Sequence, residues 1–134
     1  MSNLSYIEMR SEMARIAKLM WERRLTNAAG GNFAVRVDDN RILISPSLMS
    51  EEKHCQLEPK DFLLIDYDQN ILEGTGKLSR EGLMHVLLLQ NFKEISCTIH
   101  AHPFYCMPFV AQGKEIPNVT EATMGRGCVG CIEY

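Results

Sequence analysis

A chain of 134 residues with 46% hydrophobic and 23% charged side chains can hold one globular core, which excludes disorder, collagen-like and low-complexity classes. Fourteen Lys and Arg against seventeen Asp and Glu give a net charge of −3, so the chain offers no footprint for a nucleic-acid backbone or an anionic membrane. Apolar runs such as Val86-Leu87-Leu88-Leu89 are too short to span a bilayer, and five irregularly spaced cysteines suit a reducing cytoplasm better than a disulfide scaffold.

The first element is a helix. Ser5 and Glu8 have the spacing of a capping box, and Tyr6, Met9, Met13, Ile16, Ala17 and Met20 then recur at helical steps to about Leu25. The methionines read as core filling. Asn27 to Gly31 breaks the helix. Two strands, 32–37 and 41–45, follow as a hairpin around Asp38-Asp39-Asn40. A polar stretch from Pro46 to Lys60 carries one helical turn near residues 50–54. A second hairpin pairs 62–66 with 71–73 and ends at Gly74-Thr75-Gly76. Ser79 can cap a helix to about Phe92, residues 97–102 form a β-branched strand, and Pro103 opens a helix to about Gln112. Strands that come largely as hairpins predict an α/β fold of three layers, α/β/α, with a mostly antiparallel central sheet.

Three places along this order can carry chemistry. His100-Ala101-His102 closes a strand, where alternate side chains share a face with Cα atoms roughly 7 Å apart. Two imidazoles converging there can ligate one metal; equally, they can be two ordinary polar histidines at a strand end. Lys77-Leu78-Ser79-Arg80-Glu81 leads into a helix N-terminus, where free amides favour an anion, although Ser79 and Glu81 also suit plain capping. Gly30-Gly31-Asn32 can form an amide nest with a side-chain donor, or a simple turn; Ser45-Pro46-Ser47 by itself reads as a strand running into a loop. Cys128-Val129-Gly130-Cys131 has no second C-x-x-C and reads as small apolar residues in a late strand or turn.

Taken in order, five pieces carry a resemblance. They are Gly31-Asn32-Phe33-Ala34-Val35-Arg36, Leu43-Ile44-Ser45-Pro46-Ser47, Leu57-Glu58-Pro59-Lys60-Asp61-Phe62, the run from Glu73 to Glu81, and Ile99-His100-Ala101-His102-Pro103. Over nearly its whole length the chain resembles the class II aldolase/adducin family. The resemblance implies a single domain over residues 1–134, a class II aldolase-like fold, and a zinc-dependent lyase that cleaves a phosphorylated ketose such as fuculose 1-phosphate to dihydroxyacetone phosphate and an aldehyde. Related dehydratase, 4-epimerase and non-catalytic adducin-like roles share the fold. Position by position it assigns Zn2+ to His100 and His102, acid/base catalysis to Glu81, and the sugar phosphate to Gly31, Asn32, Ser47 and Ser79. It also implies a cytoplasmic homotetramer.

The departures are specific. The family's third zinc histidine falls downstream of this sequence, so the domain is expected to be C-terminally incomplete and its zinc site thin. His85 lies one turn after Glu81 on the same helix face and is given no metal role. Leu48 stands where the family's aldolases usually have glycine. Arg80 replaces a small hydroxyl residue and is expected to point to solvent.

Overall fold

The computed structural model describes residues 4–125, 127 and 129–132, with nothing said of the side chains of 122 and 123. Its elements run α1 (Ile7–Glu22), β1 (Asn32–Arg36), β2 (Arg41–Ile44), a 3-10 turn (Pro59–Asp61), β3 (Leu63–Asp66), β4 (Ile71–Glu73), α2 (Gly82–Asn91), β5 (Cys97–His100), α3 (Met107–Ala111) and α4 (Glu121–Met124). The strands form one sheet in the order β4-β3-β2-β1-β5, and every pairing is antiparallel. Both expected hairpins are present. Among the described residues no helix is long and apolar enough to cross a membrane.

Register explains the layers. Ala34 lies opposite Ile44, Arg36 opposite Ile42, and Ile42 and Ile44 opposite Ile65 and Leu63. Paired residues share a sheet face, and on this one Ala34, Ile42, Ile44, Leu63 and Ile65 pack against Val86 and Leu89 of α2. The alternate residues Phe33, Leu43 and Leu64 turn the other way and meet Met13, Ala17 and Met20 of α1. The sheet is therefore covered on both sides, as the hairpin pattern predicts. The methionine stripe is core, with Met13 and Met20 buried.

Boundaries differ where polar groups compete. The Ser5–Glu8 capping box does not form: Tyr6 is the N-cap, in a left-handed conformation (φ 58°) and without a side-chain cap. The Ser5 amide instead donates to both carboxylate oxygens of Glu73, at 3.1 and 3.3 Å. α1 stops at Glu22, before the expected Leu25. α2 starts at Gly82, not Ser79, because Ser79 spends its hydroxyl on the Glu81 amide (3.2 Å) in a turn that precedes the helix. β5 ends at His100, two residues short of His102, and α3 covers only Met107–Ala111. Residues 50–54 form turns, with the His54 amide donating to the Ser50 carbonyl at 3.1 Å. Cys128 lies outside the described residues, and Cys131 is exposed.

Arg10 sits on the buried face of α1, where periodicity reserves a place for an apolar residue, and is 0% exposed. It is tolerated because each of its three nitrogens has an acceptor. Nε donates to the Ser5 carbonyl (2.7 Å), Nη1 to the Phe62 and Pro59 carbonyls, and Nη2 to Glu73 (2.6 Å). One guanidinium thus ties α1 to the 3-10 turn and to the far edge of the sheet. At the other sheet face Arg36 donates to the Leu89, Phe92 and Lys93 carbonyls, closing the C-terminal end of α2 with a cation. Arg10→Ala strips Glu73 and three carbonyls of a buried partner, and we expect it to lower unfolding stability by about 3 kcal/mol, read from urea midpoints. Arg15→Ala, which breaks an exposed helical pair with Glu12, should change stability by less than about 0.5 kcal/mol.

Candidate active site

The cleft forms where β1 begins and β5 ends. Their register sets Asn32 directly opposite His100, so the two side chains rise from the same sheet face. Two residues on, past the end of β5, His102 still meets His100: its Nε2 lies 3.0 Å from Nε2 of His100, with ring centroids 5.1 Å apart. Gly30 makes room for this. A Cβ there would stand 2.3 Å from Cε1 of His102. Glu81, on the turn before α2, places Oε2 3.8 Å from Nδ1 of His100.

Much of the remaining lining is polar and comes from the stretches around Asn32, Ser47 and Ser79. Asn32 is buried and donates through Nδ2 to Ser79 Oγ at 3.1 Å. Ser47 is held by its amide, which donates to the Lys77 carbonyl at 2.9 Å. Gly31 takes a positive φ of 118°, and the hydroxyls of Thr26 and Ser50 both donate to the carbonyl of Gly30 and so fix this turn. Gly31, Asn32, Ser47, Ser79, Glu81, His100 and His102, drawn from four separate stretches of sequence, all line one cleft of about 170 Å³. Arg80 is exposed yet lines the same cleft, so solvent exposure does not remove it from the site. His54 is elsewhere, stacked on Trp21 at 5.0 Å.

Two further residues shape the cleft. His85 is fully buried, with Nδ1 2.7 Å from Thr98 Oγ1 and Nε2 2.5 Å from Asn32 Oδ1. Its position one turn after Glu81 hinted at the cleft, but its partners are distant in sequence. Ser50, also buried, escaped sequence reasoning because a serine in a polar loop carries no signal of the carbonyl it will meet. Leu48 has φ 59°, the left-handed conformation that a glycine adopts without a Cβ penalty, and its side chain is 50% exposed at the rim of the cleft.

Electrostatics divides the histidines. Burial pushes His85 down to about 4, and nearby His100 pushes the same way, against a smaller opposing pull from Glu81. His102 is lowered from the usual histidine value by burial first and then by His100, again opposed by Glu81. Near neutral pH His85 is therefore an uncharged hydrogen-bonding group.

The sequence profile described as the class II aldolase and adducin N-terminal domain matches residues 11–134. The chain belongs to that family. It is 32% identical over 125 residues to an L-fuculose phosphate aldolase of Methanococcus maripaludis, a match covering 92% of this chain and 66% of that protein. It is 34% identical over 91 residues to a methylthioribulose-1-phosphate dehydratase of Pectobacterium atrosepticum, covering 66% of this chain and 43% of the dehydratase. The fold matches a solved L-fuculose 1-phosphate aldolase with a TM-score of 0.71 and 26% identity, over 87% of this chain and 53% of the other. This chain spans between about two fifths and two thirds of the length of these relatives.

Because His85 has a folded value of about 4 against 6.5 for a free histidine, the unfolded chain takes up the proton first as pH falls. Stability fully present above pH 6.5 should decline steadily from there to about 4. Thermal midpoints measured against pH should follow that course, and His85→Gln should flatten it. Leu48→Gly exchanges left-handed strain for added chain entropy; we expect a change between zero and about 1 kcal/mol of stabilisation in urea titrations.

Proposed function

We propose that the cleft belongs to a zinc-dependent aldolase that cleaves a phosphorylated ketose, fuculose 1-phosphate or a close analogue, to dihydroxyacetone phosphate and an aldehyde. The observation that supports this reading is the Glu81 carboxylate 3.8 Å from one of two adjoining histidines, in a cleft also lined by hydroxyl and amide groups.

The histidines fit a zinc ion as a pair. Two imidazole Nε2 atoms 3.0 Å apart are close enough for one cation that takes nitrogen ligands to reach both. Among the described residues no group of three or more His, Cys, Asp or Glu side chains is arranged for a metal, so His100 and His102 are the two ligands assigned. Zinc bound there supplies Lewis acidity toward a substrate carbonyl. Glu81 moves a proton between its carboxylate oxygen and the substrate carbon beside that carbonyl. Ser47, Ser79, Asn32 and the amides around Gly31 hold the phosphate, and Arg80 at the rim adds a positive charge on the approach to it.

The dehydratase relative supports a second reading, loss of water from a ketose phosphate, which uses the same proton transfer by Glu81. The products separate the two. The same family likeness leads us to propose a cytoplasmic protein working as a homotetramer, for which light scattering should give four chains per particle.

Fuculose 1-phosphate and Zn2+ supplied to the protein should yield dihydroxyacetone phosphate, followed through a coupled reductase. Glu81→Gln should lower kcat by about 10²–10⁴-fold while zinc content stays unchanged. His102→Ala should lose both zinc and turnover. If Glu81→Gln instead loses zinc and recovers activity in excess metal, Glu81 is a ligand and the assignment of the base fails. A zinc-loaded protein that releases water but no dihydroxyacetone phosphate from a ketose phosphate would favour the dehydratase.

A further inference from the structure

The buried hydrogen bonds behind the cleft have a direction, set by which atom of the Asn32 amide faces His85. Asn32 Oδ1 can only accept, so the His85 nitrogen 2.5 Å away, Nε2, carries the ring proton. In the neutral ring Nδ1 must then accept, and the Thr98 hydroxyl at 2.7 Å donates to it. On the far side of Asn32 the amide nitrogen donates to Ser79 Oγ, which also accepts from the Glu81 amide. With both of those contacts directed at its oxygen, the Ser79 hydroxyl keeps its own proton free.

We propose that His85 is a positioning residue that, held by Thr98, turns Asn32 so that the chain Thr98–His85–Asn32–Ser79 ends in a free hydroxyl proton facing the cleft, making that wall a donor surface for the substrate's phosphate. The proposal rests on the reading that the cleft takes a phosphorylated ligand. The low acidity range of His85 supports it, because the ring stays neutral and only its tautomer needs to be fixed. The reverse arrangement is chemically complete as well: with the Asn32 amide turned over, Nδ1 of His85 would donate to Thr98 and Ser79 would donate to Asn32. Ser79 would then have no proton left for a ligand. The two arrangements differ at one observable atom.

Nitrogen-15 NMR of the imidazole rings, assigned by comparison with His85→Gln, reads that atom. The proposal expects the Nε2–H tautomer at neutral pH; the Nδ1–H tautomer overturns it. Calorimetry with inorganic phosphate supplies the second readout. His85→Phe, which keeps the volume but neither hydrogen bond, should weaken phosphate binding about tenfold or more, and His85→Gln, which can donate to Asn32 and accept from Thr98, should restore most of it. Thr98→Val keeps a β-branched strand residue and removes the donor to Nδ1, so it should weaken phosphate binding with little loss of structure, and it carries the comparison if His85→Phe does not fold. Equal phosphate affinity in the wild type and in the folded variants overturns the proposal and leaves the aldolase reading standing. No phosphate binding by the wild type overturns the phosphate site itself, while the tautomer still tests the direction of the chain.

Discussion

His85, shut away from water with both ring nitrogens engaged, is the constraint on which the cleft depends. Burying an imidazole is tolerable only while each nitrogen has a partner. The partners come from β5 and from the first residue of β1, so satisfying one side chain locks α2 against two strands. The same register that sets Asn32 opposite His100 then joins the donor wall to the paired histidines. The Asn32 side of the cleft cannot shift without straining the buried hydrogen bond between His85 and Asn32.

The division of labour between the sheet faces follows from this. The α1 face is a conventional apolar layer built on Phe33, Leu43, Leu64 and three small or flexible residues of the helix. The α2 face is apolar only in its middle, around Ile42, Ile44 and Leu63, and becomes polar at both ends of α2. At one end Arg36 gathers the last carbonyls of the helix; at the other His85 and Asn32 open into the cleft. Arg10 performs the corresponding service on the α1 side, far from the chemistry.

The strands and their pairing were legible because turn residues mark both hairpins and a two-residue period marks the faces. The candidate cleft residues were legible for a different reason: each piece alone is common, and the family resemblance carried by five of them in order is what singled them out. Arg10 was not, since a charge at a core position gives no sign that Glu73, on a distant strand, will meet it. The start of α2 was misjudged because Ser79 has two uses for one hydroxyl, as a helix cap or as the acceptor in the preceding turn, and local sequence cannot weigh them. β5 ends at His100, so His102 lies outside the strand expected to carry both, yet its ring still meets that of His100. Leu48 was noticed only as a departure from family habit; its positive φ reveals that the loop keeps the backbone shape of a glycine while carrying a side chain.

The close approach of His102 to Gly30 bears on how this chain can vary over evolutionary time. Every replacement of glycine adds at least a Cβ, and here that atom would lie within 2.8 Å of three ring atoms of His102. The ring would have to move aside, and its contact with His100 would change with it. Position 30 and position 102 are therefore a linked inheritance: a descendant that acquires a side chain at 30 must also find a new place for the ring at 102.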